Sequence, residues 1–197
     1  MKEKALIIFV RKPEKGKVKT RLAATLGETK ALSIYVELLH HTRRIATASI
    51  ADKFVFYADE IPPDDDWSNE VFKKRLQADD DLGGKMKNAF TVLFEAGYSN
   101  VIIIGSDCFE LSAAIIEQAF ELLQHKDVVI GPANDGGYYL LGMKKLHPCL
   151  FENKQWSTEH VLRQTTDDLE RENISYTELV RLTDVDTEED WMKTRKV

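Results

Sequence analysis

VIIIGSDCFEL, running from Val101 to Leu111, is the stretch on which the fold turns. Val101 to Ile104 are four β-branched residues without alternation, too short a run for a typical helix, and they read as a strand buried on both faces. Gly105-Ser106-Asp107 follows, so a carboxylate leaves the apolar layer at the carboxyl end of a strand, where open α/β sheets place ligands. Asp107 is therefore the first functional candidate. The competing reading is that Asp107 only turns the chain toward a helix capped by Ser112.

Outward from that strand, apolar strands alternate with helical spacing. Lys4 to Val10, Lys53 to Ala58, Lys74 to Gln77 and Asp127 to Ile130 read as strands. Glu28 to Ser49, Gly84 to Ala96, Ser112 to Gln124 and Thr158 to Glu172 read as helices, the first with Ala31, Ile34, Tyr35, Leu38, Leu39, Ile45 and Ala46 on one face. Ala133-Asn134-Asp135-Gly136-Gly137 signals an antiparallel return into Tyr138 to Met143. A strand near Ser175 to Leu179 and a last helix, opened by Thr187 with Asp190 at capping-box spacing, complete the chain. The expected architecture is α/β: a three-layer α/β/α sandwich around a mixed, mostly parallel sheet. With 197 residues and no linker-like stretch, one domain over 1–197 is the simplest division.

A formal charge of -6 argues against a nucleic-acid or membrane-surface partner, both of which need a broad basic footprint. The early apolar run, Ala5 to Val10, is too short for a signal core or a membrane span, so a cytoplasmic location is expected. Cys108 and Cys149 form no CxxC pair and no zinc spacing, and Cys108 reads as a small buried residue.

Positive charge is concentrated in one place. Arg11, Lys12, Lys15, Lys17, Lys19 and Arg21 surround Gly16 just after the first strand. Backbone amides and Lys or Arg donors there suit a phosphate-bearing ligand. The alternative is a solvated basic loop. The loop lacks the first glycine and the GK[ST] triplet of a Walker A motif, and GxGxxG occurs nowhere.

The series GKVKTRLA (Gly16 to Ala23), DLGGKMKNAF (Asp81 to Phe90), GSDCFEL (Gly105 to Leu111), GPANDGGYYLLG (Gly131 to Gly142), WST (Trp156 to Thr158) and LTDVDTEEDW (Leu182 to Trp191) resembles a family of small GT-A-fold proteins. Members are provisionally named glycosyltransferases, and some carry an arsenosugar-biosynthesis label. The layout is similar, more distantly, to molybdenum-cofactor guanylyltransferases and sugar-nucleotide synthases.

The resemblance implies a nucleotide-diphospho-sugar transferase fold that works with Mg2+ or Mn2+ on a nucleotide or nucleotide sugar and a small-molecule acceptor. It assigns Arg11, Lys12, Gly16, Lys19, Arg21, Gly83, Gly84 and Lys85 to the nucleotide, and Asp107 and Asp186 to the metal. Lys19 and Asp135 are its catalytic candidates; Asp135, Gly136, Gly137, Tyr138 and Trp156 would meet the substrate. Each has a plainer alternative: a helix-start loop for Gly83 and Gly84, a helix-dipole partner for Asp186, a hairpin turn for Asp135 and Gly136, and core packing for Trp156. Relatives usually carry proline where Phe109 stands, and the DxD pair of many metal-dependent glycosyltransferases is taken to be absent. Three functions follow as expectations: a glycosyltransferase using a nucleotide sugar, a nucleotidyltransferase releasing pyrophosphate, or a non-catalytic nucleotide-binding protein. Oligomeric state is open, with a homodimer one option.

Overall fold

A computed structural model describes residues 2–194; residue 1 and residues 195–197 of the expected domain lie outside the described residues. Its centre is the expected buried strand. Successive side chains on a strand point to opposite faces, so Val101 and Ile103 enter one apolar layer while Ile102 and Ile104 enter the other. All four are at most 4% exposed, which explains why this strand shows no polar alternation.

In chain order the elements are β1 (Lys2–Val10), α1 (Thr20–Leu26), α2 (Glu28–Ala48), β2 (Asp52–Tyr57), β3 (Phe72–Leu76), α3 (Leu82–Glu95), β4 (Tyr98–Ile104), α4 (Ala113–Leu122), β5 (Val128–Pro132), β6 (Tyr138–Met143), α5 (Val161–Arg171), β7 (Tyr176–Glu178) and α6 (Glu188–Thr194). The sheet order is β3-β2-β1-β4-β6-β5-β7, with β4 in the middle. Four of the six strand pairs are parallel; β6 runs antiparallel to both β4 and β5. The mixed, mostly parallel α/β fold is as expected.

Helices cover both faces. Tyr35, Leu39 and Ile45 of α2, with Ile116 and Phe120 of α4, pack on Leu6, Ile8, Ile102 and Ile104. Phe90 and Leu93 of α3, with Leu169 of α5, pack on Ala5, Ile7, Val101 and Ile103. Among the described residues no helix is long and apolar enough to cross a membrane.

Three local expectations shift. The cation-rich stretch is a loop only to Lys19, because Leu22 drives the seven residues of α1 into a small cluster with Ile34, Leu38, Val185 and Trp191. The edge strand begins at Phe72, whose ring meets Trp67 edge-on 4.9 Å away, and ends at Leu76. The helix expected from Thr158 starts at Val161, and the Thr158 hydroxyl instead donates to the Gln155 carbonyl at 2.7 Å in the turn that leads to it.

Candidate active site

The site lies along the carboxyl edge of the parallel strands and grows from the loop after β1. Tyr35 of α2 anchors the loop's first residue, its hydroxyl accepting from the Arg11 amide at 2.9 Å and donating to the Arg11 carbonyl at 3.1 Å. Glu14 draws Lys12 and Lys17 together at 3.1 and 2.5 Å, and Lys12 also bonds Glu60. Gly16 turns the chain at φ 79°. Lys19 then adopts the left-handed conformation, φ 49° and ψ 49°, immediately before α1. A non-glycine residue there carries roughly 1–2 kcal/mol of strain.

That backbone delivers the Lys19 side chain to two carboxylates. Its ammonium is 2.9 Å from Asp107 Oδ1 and 3.1 Å from Asp186 Oδ1, with only 6% of the side chain exposed. Arg21 stands 3.7 Å from Asp186 Oδ2. Burial acts to lower the Lys19 pKa, but the charges and hydrogen bonds of Asp107 and Asp186 outweigh it and raise the pKa above the usual lysine value. The ammonium is therefore held charged.

Asp107 and Asp186 meet because two segments are zipped side by side. Cys108 and Asp184 form an isolated antiparallel bridge, the Val185 amide donates to the Asp107 carbonyl at 2.9 Å, and the Thr183 amide donates to Glu110 Oε2 at 2.7 Å. Val185, fully buried among Leu22, Ile34 and Trp191, pins the segment from below. Just beyond, Thr187 and Asp190 make the expected reciprocal cap: the Thr187 amide and hydroxyl donate to Asp190 Oδ2 at 2.9 and 2.7 Å. Phe109 serves the same joint. Its ring stacks on His41 of α2 at 4.7 Å and meets Trp191 of α6 edge-on at 5.9 Å, so aromatic packing holds this joint together.

Sequence reasoning passed over Asp184. An Asp-x-Asp pair is present after all in Asp184-Val185-Asp186, and alternation about buried Val185 puts both acids on the side of Lys19. Burial, then the nearby charges of Asp107 and Asp135, push the Asp184 carboxyl up to about 7. The spacing alone could have drawn attention to it. The Cys108 thiol is likewise pushed well above its ordinary value, by burial first and Asp184 second, so it stays protonated and inert as a nucleophile.

A cleft of about 930 Å³ opens in front of this cluster. Arg11, Lys19, Arg21, Asp107 and Asp186 line it. Lys85, Asp135, Gly137, Tyr138 and Trp156 also line it, as do Asp80, Asp184 and Glu159. Lys12, Gly16, Gly83, Gly84 and Gly136 are not on the cleft wall. A Cβ on Gly83 would strike the Trp156 ring, and one on Gly84 the Asp80 carboxylate, so the space before both glycines holds the protein's own side chains. Gly136, at φ 88°, lets the backbone of Glu159 pass where a Cβ would lie, and its carbonyl accepts from the Leu162 amide at 2.9 Å. In the same turn Asp135 Oδ1 accepts from the Gly137 amide at 2.9 Å.

The arrangement suits a divalent cation. Asp107 and Asp186 are hard oxygen donors, 43% and 39% exposed toward the cleft, with the Lys19 ammonium between them and Arg21 beside Asp186. Among the described residues no group of three or more His, Cys, Asp or Glu is assembled around a metal position, so phosphate or water would complete the coordination of the pair.

The family model described as "Uncharacterized protein conserved in bacteria (DUF2064)" matches residues 41–158. The chain belongs to this family. A solved structure from Desulfovibrio desulfuricans G20, provisionally named a nucleotide-diphospho-sugar transferase, is 32% identical at a TM-score of 0.87, covering 95% of this chain and 84% of that one. The DUF2064 chain also shares its fold with CMP:2-keto-3-deoxy-manno-octonic acid synthetase complexed with CTP, at 11% identity and a TM-score of 0.57 over 98% of this chain and 97% of that one. Rv0371C of Mycobacterium tuberculosis H37Rv, in complex with manganese, matches at 10% identity and a TM-score of 0.59 over 100% and 99%. No curated protein matches the chain. The two distant likenesses show the fold alone; the 32% identical structure supports a nucleotide-related transferase in general.

Proposed function

We propose that this DUF2064 chain is a nucleotide-sugar-dependent glycosyltransferase acting on a small-molecule acceptor, built on one domain. The observation that carries the reading is the Lys19 ammonium, buried yet presented at the cleft between Asp107 and Asp186, 2.9 and 3.1 Å away. A cation fixed at the carboxyl edge of a parallel sheet is placed to meet negative charge that grows during reaction, which is where an electrostatic group contributes most. The donor's diphosphate would lie against Lys19, Arg21 and Arg11, with Lys85 also on the cleft wall. As the bond from the sugar's anomeric carbon to the diphosphate breaks, Lys19 and Arg21 take up the charge on the departing oxygens. Asp135, at the return into β6, would accept the proton of the acceptor hydroxyl as its oxygen bonds the same carbon. Tyr138 and Trp156 would flank the sugar or acceptor. Mg2+ or Mn2+, held by Asp107 and Asp186, would neutralise part of the diphosphate charge.

A second reading has its own support. The CTP-bound synthetase shares the fold, and the density of cations after β1 suits a triphosphate, as in a nucleotidyltransferase that releases pyrophosphate. Incubation with nucleotide sugars or nucleoside triphosphates, with Mg2+ or Mn2+, separates the two by product: nucleoside diphosphate for the first, pyrophosphate for the second. Turnover of neither would leave a non-catalytic nucleotide-binding protein. Replacing Lys19 and Arg21 together by Ala should weaken nucleotide binding by about 2 kcal/mol, since charge-assisted hydrogen bonds contribute roughly 1.5–3 kcal/mol and Arg21 is largely exposed. Unchanged affinity in the folded double variant, read by calorimetry, would reduce the basic loop to a solvated face.

A further inference from the structure

The Lys19 ammonium stands between the two acids that suit a metal ion. Among the described residues its hydrogen-bond and ion-pair partners are Asp107 and Asp186, and no backbone carbonyl accepts from it. The ammonium is shielded, with 6% of the side chain exposed, whereas the carboxylates are 43% and 39% exposed and face the cleft. Lys19 and Arg21, the latter 3.7 Å from Asp186, balance the two carboxylates, so a divalent ion gains a favourable charge there only as the Lys19 ammonium leaves. The side chain springs from a left-handed backbone position where the loop joins α1. It is held by a pair of contacts to groups that have somewhere else to turn.

Resting on the function proposed above, we infer that Lys19 is a resident counter-ion that is exchanged during loading. A divalent ion takes over Asp107 and Asp186, and the released ammonium is handed to the donor's phosphates. Without phosphate, metal entry must strip the ammonium of both partners; with phosphate present, the ammonium gains a new one. Metal and nucleotide therefore load together, each raising the affinity for the other by the same factor.

Binding of Mn2+ alone, followed by the electron paramagnetic resonance of the free ion, tests the exchange without assuming any base or sugar. Lys19→Met should bind Mn2+ at least about tenfold more tightly than the natural chain, equivalent to about 1.4 kcal/mol, while Lys19→Arg should stay weak. Arg21→Met removes the same charge from a side chain that is 74% exposed and should gain much less, which separates occupancy of the site from its general field. Equal or weaker Mn2+ binding by Lys19→Met would overturn the inference, as would Mn2+ binding unaltered by Asp186→Asn. Should circular dichroism show Lys19→Met unfolded, Lys19→Gln is read by the same criterion.

The handover is tested with ADP, CDP, GDP and UDP. At least one should tighten Mn2+ binding to the natural chain about tenfold or more, and the gain should shrink in Lys19→Met. A gain undiminished in that variant refutes the handover. If none of the four binds, the nucleotide reading and the handover fall together, whereas the comparison made with Mn2+ alone still decides the exchange.

Discussion

Two buried lysines in this molecule are held in opposite ways. Lys154, 1% exposed, donates to the carbonyls of Cys149 and Gln164 at 3.2 and 3.4 Å and to Asp168, itself only 13% exposed and backed by Arg171. Lys19, 6% exposed, has two half-exposed carboxylates and no carbonyl. All three hydrogens of the Lys154 ammonium are thus committed inside the protein, and the group closes the loop between β6 and α5 onto the start of α5. The Lys19 contacts point to a cleft where water, metal or phosphate can compete. Burial of a lysine alone therefore says little about its purpose; what its partners face says more.

The largest expected effect breaks the closed lysine. Lys154→Met removes the ammonium that ties this loop to α5 and deprives Asp168 of its buried partner. Loss of one member of a buried pair typically costs about 3–5 kcal/mol; Arg171 still contacts Asp168, so about 3 kcal/mol is expected, measured by urea unfolding. A loss below about 1 kcal/mol would mean that the two lysines are energetically alike and the contrast is only geometric.

Acid sharpens the same contrast. Burial acts to raise the Asp168 pKa, but hydrogen bonds from Lys154 and Arg171 outweigh it and hold the carboxyl below its ordinary value. The folded state thus binds this proton less readily than the unfolded chain, so the stabilisation is fully present above the unfolded pKa of about 3.9. It fades as pH falls from that value through the lower folded one. The stability difference between the natural chain and Asp168→Asn should be flat from pH 8 to about pH 5 and shrink below about pH 4. A difference that grew in acid would reverse the assigned sign.

How much of this was open to a reader of the sequence follows from where the information sits. Val101 to Ile104 and the apolar face of α2 carry their burial in local pattern, and the fold follows from them. The helix α1 was hidden: its seven residues begin within a run of cations, and Leu22 finds its partners in α2, Val185 and Trp191. Gly83 and Gly84 drew attention as glycines at a helix start, yet the side chains filling the space before them include Trp156, far along the chain. Asp184 was passed over because its burial depends on the bridge to Cys108, which nothing local in the sequence specifies. Asp107 was legible from its strand. Its meeting with Asp186 and Lys19 needed family resemblance, since nothing local in either segment specifies the other.

The smallest expected effect concerns backbone strain and lies on the open lysine alone. The turn beside Lys154 is made by Asn153, at φ 55°, a residue type that tolerates the left-handed region, whereas Lys19 itself occupies that region at φ 49°. Lys19→Ala and Lys19→Gly both delete the ammonium and its contacts, so the difference between them isolates the conformational term. Alanine retains the Cβ that crowds the following carbonyl; glycine does not, although its unfolded chain is more disordered. Because the left-handed penalty of roughly 1–2 kcal/mol exceeds glycine's entropic cost of about 0.5–1 kcal/mol, Lys19→Gly should be more stable than Lys19→Ala by about 0.5–1 kcal/mol in urea unfolding. At Lys154, where φ is not positive, the same pair of substitutions should reverse the order. If glycine proved the less stable at both positions, Lys19 would carry no strain, and its left-handed backbone would have to be counted an ordinary feature of the start of α1.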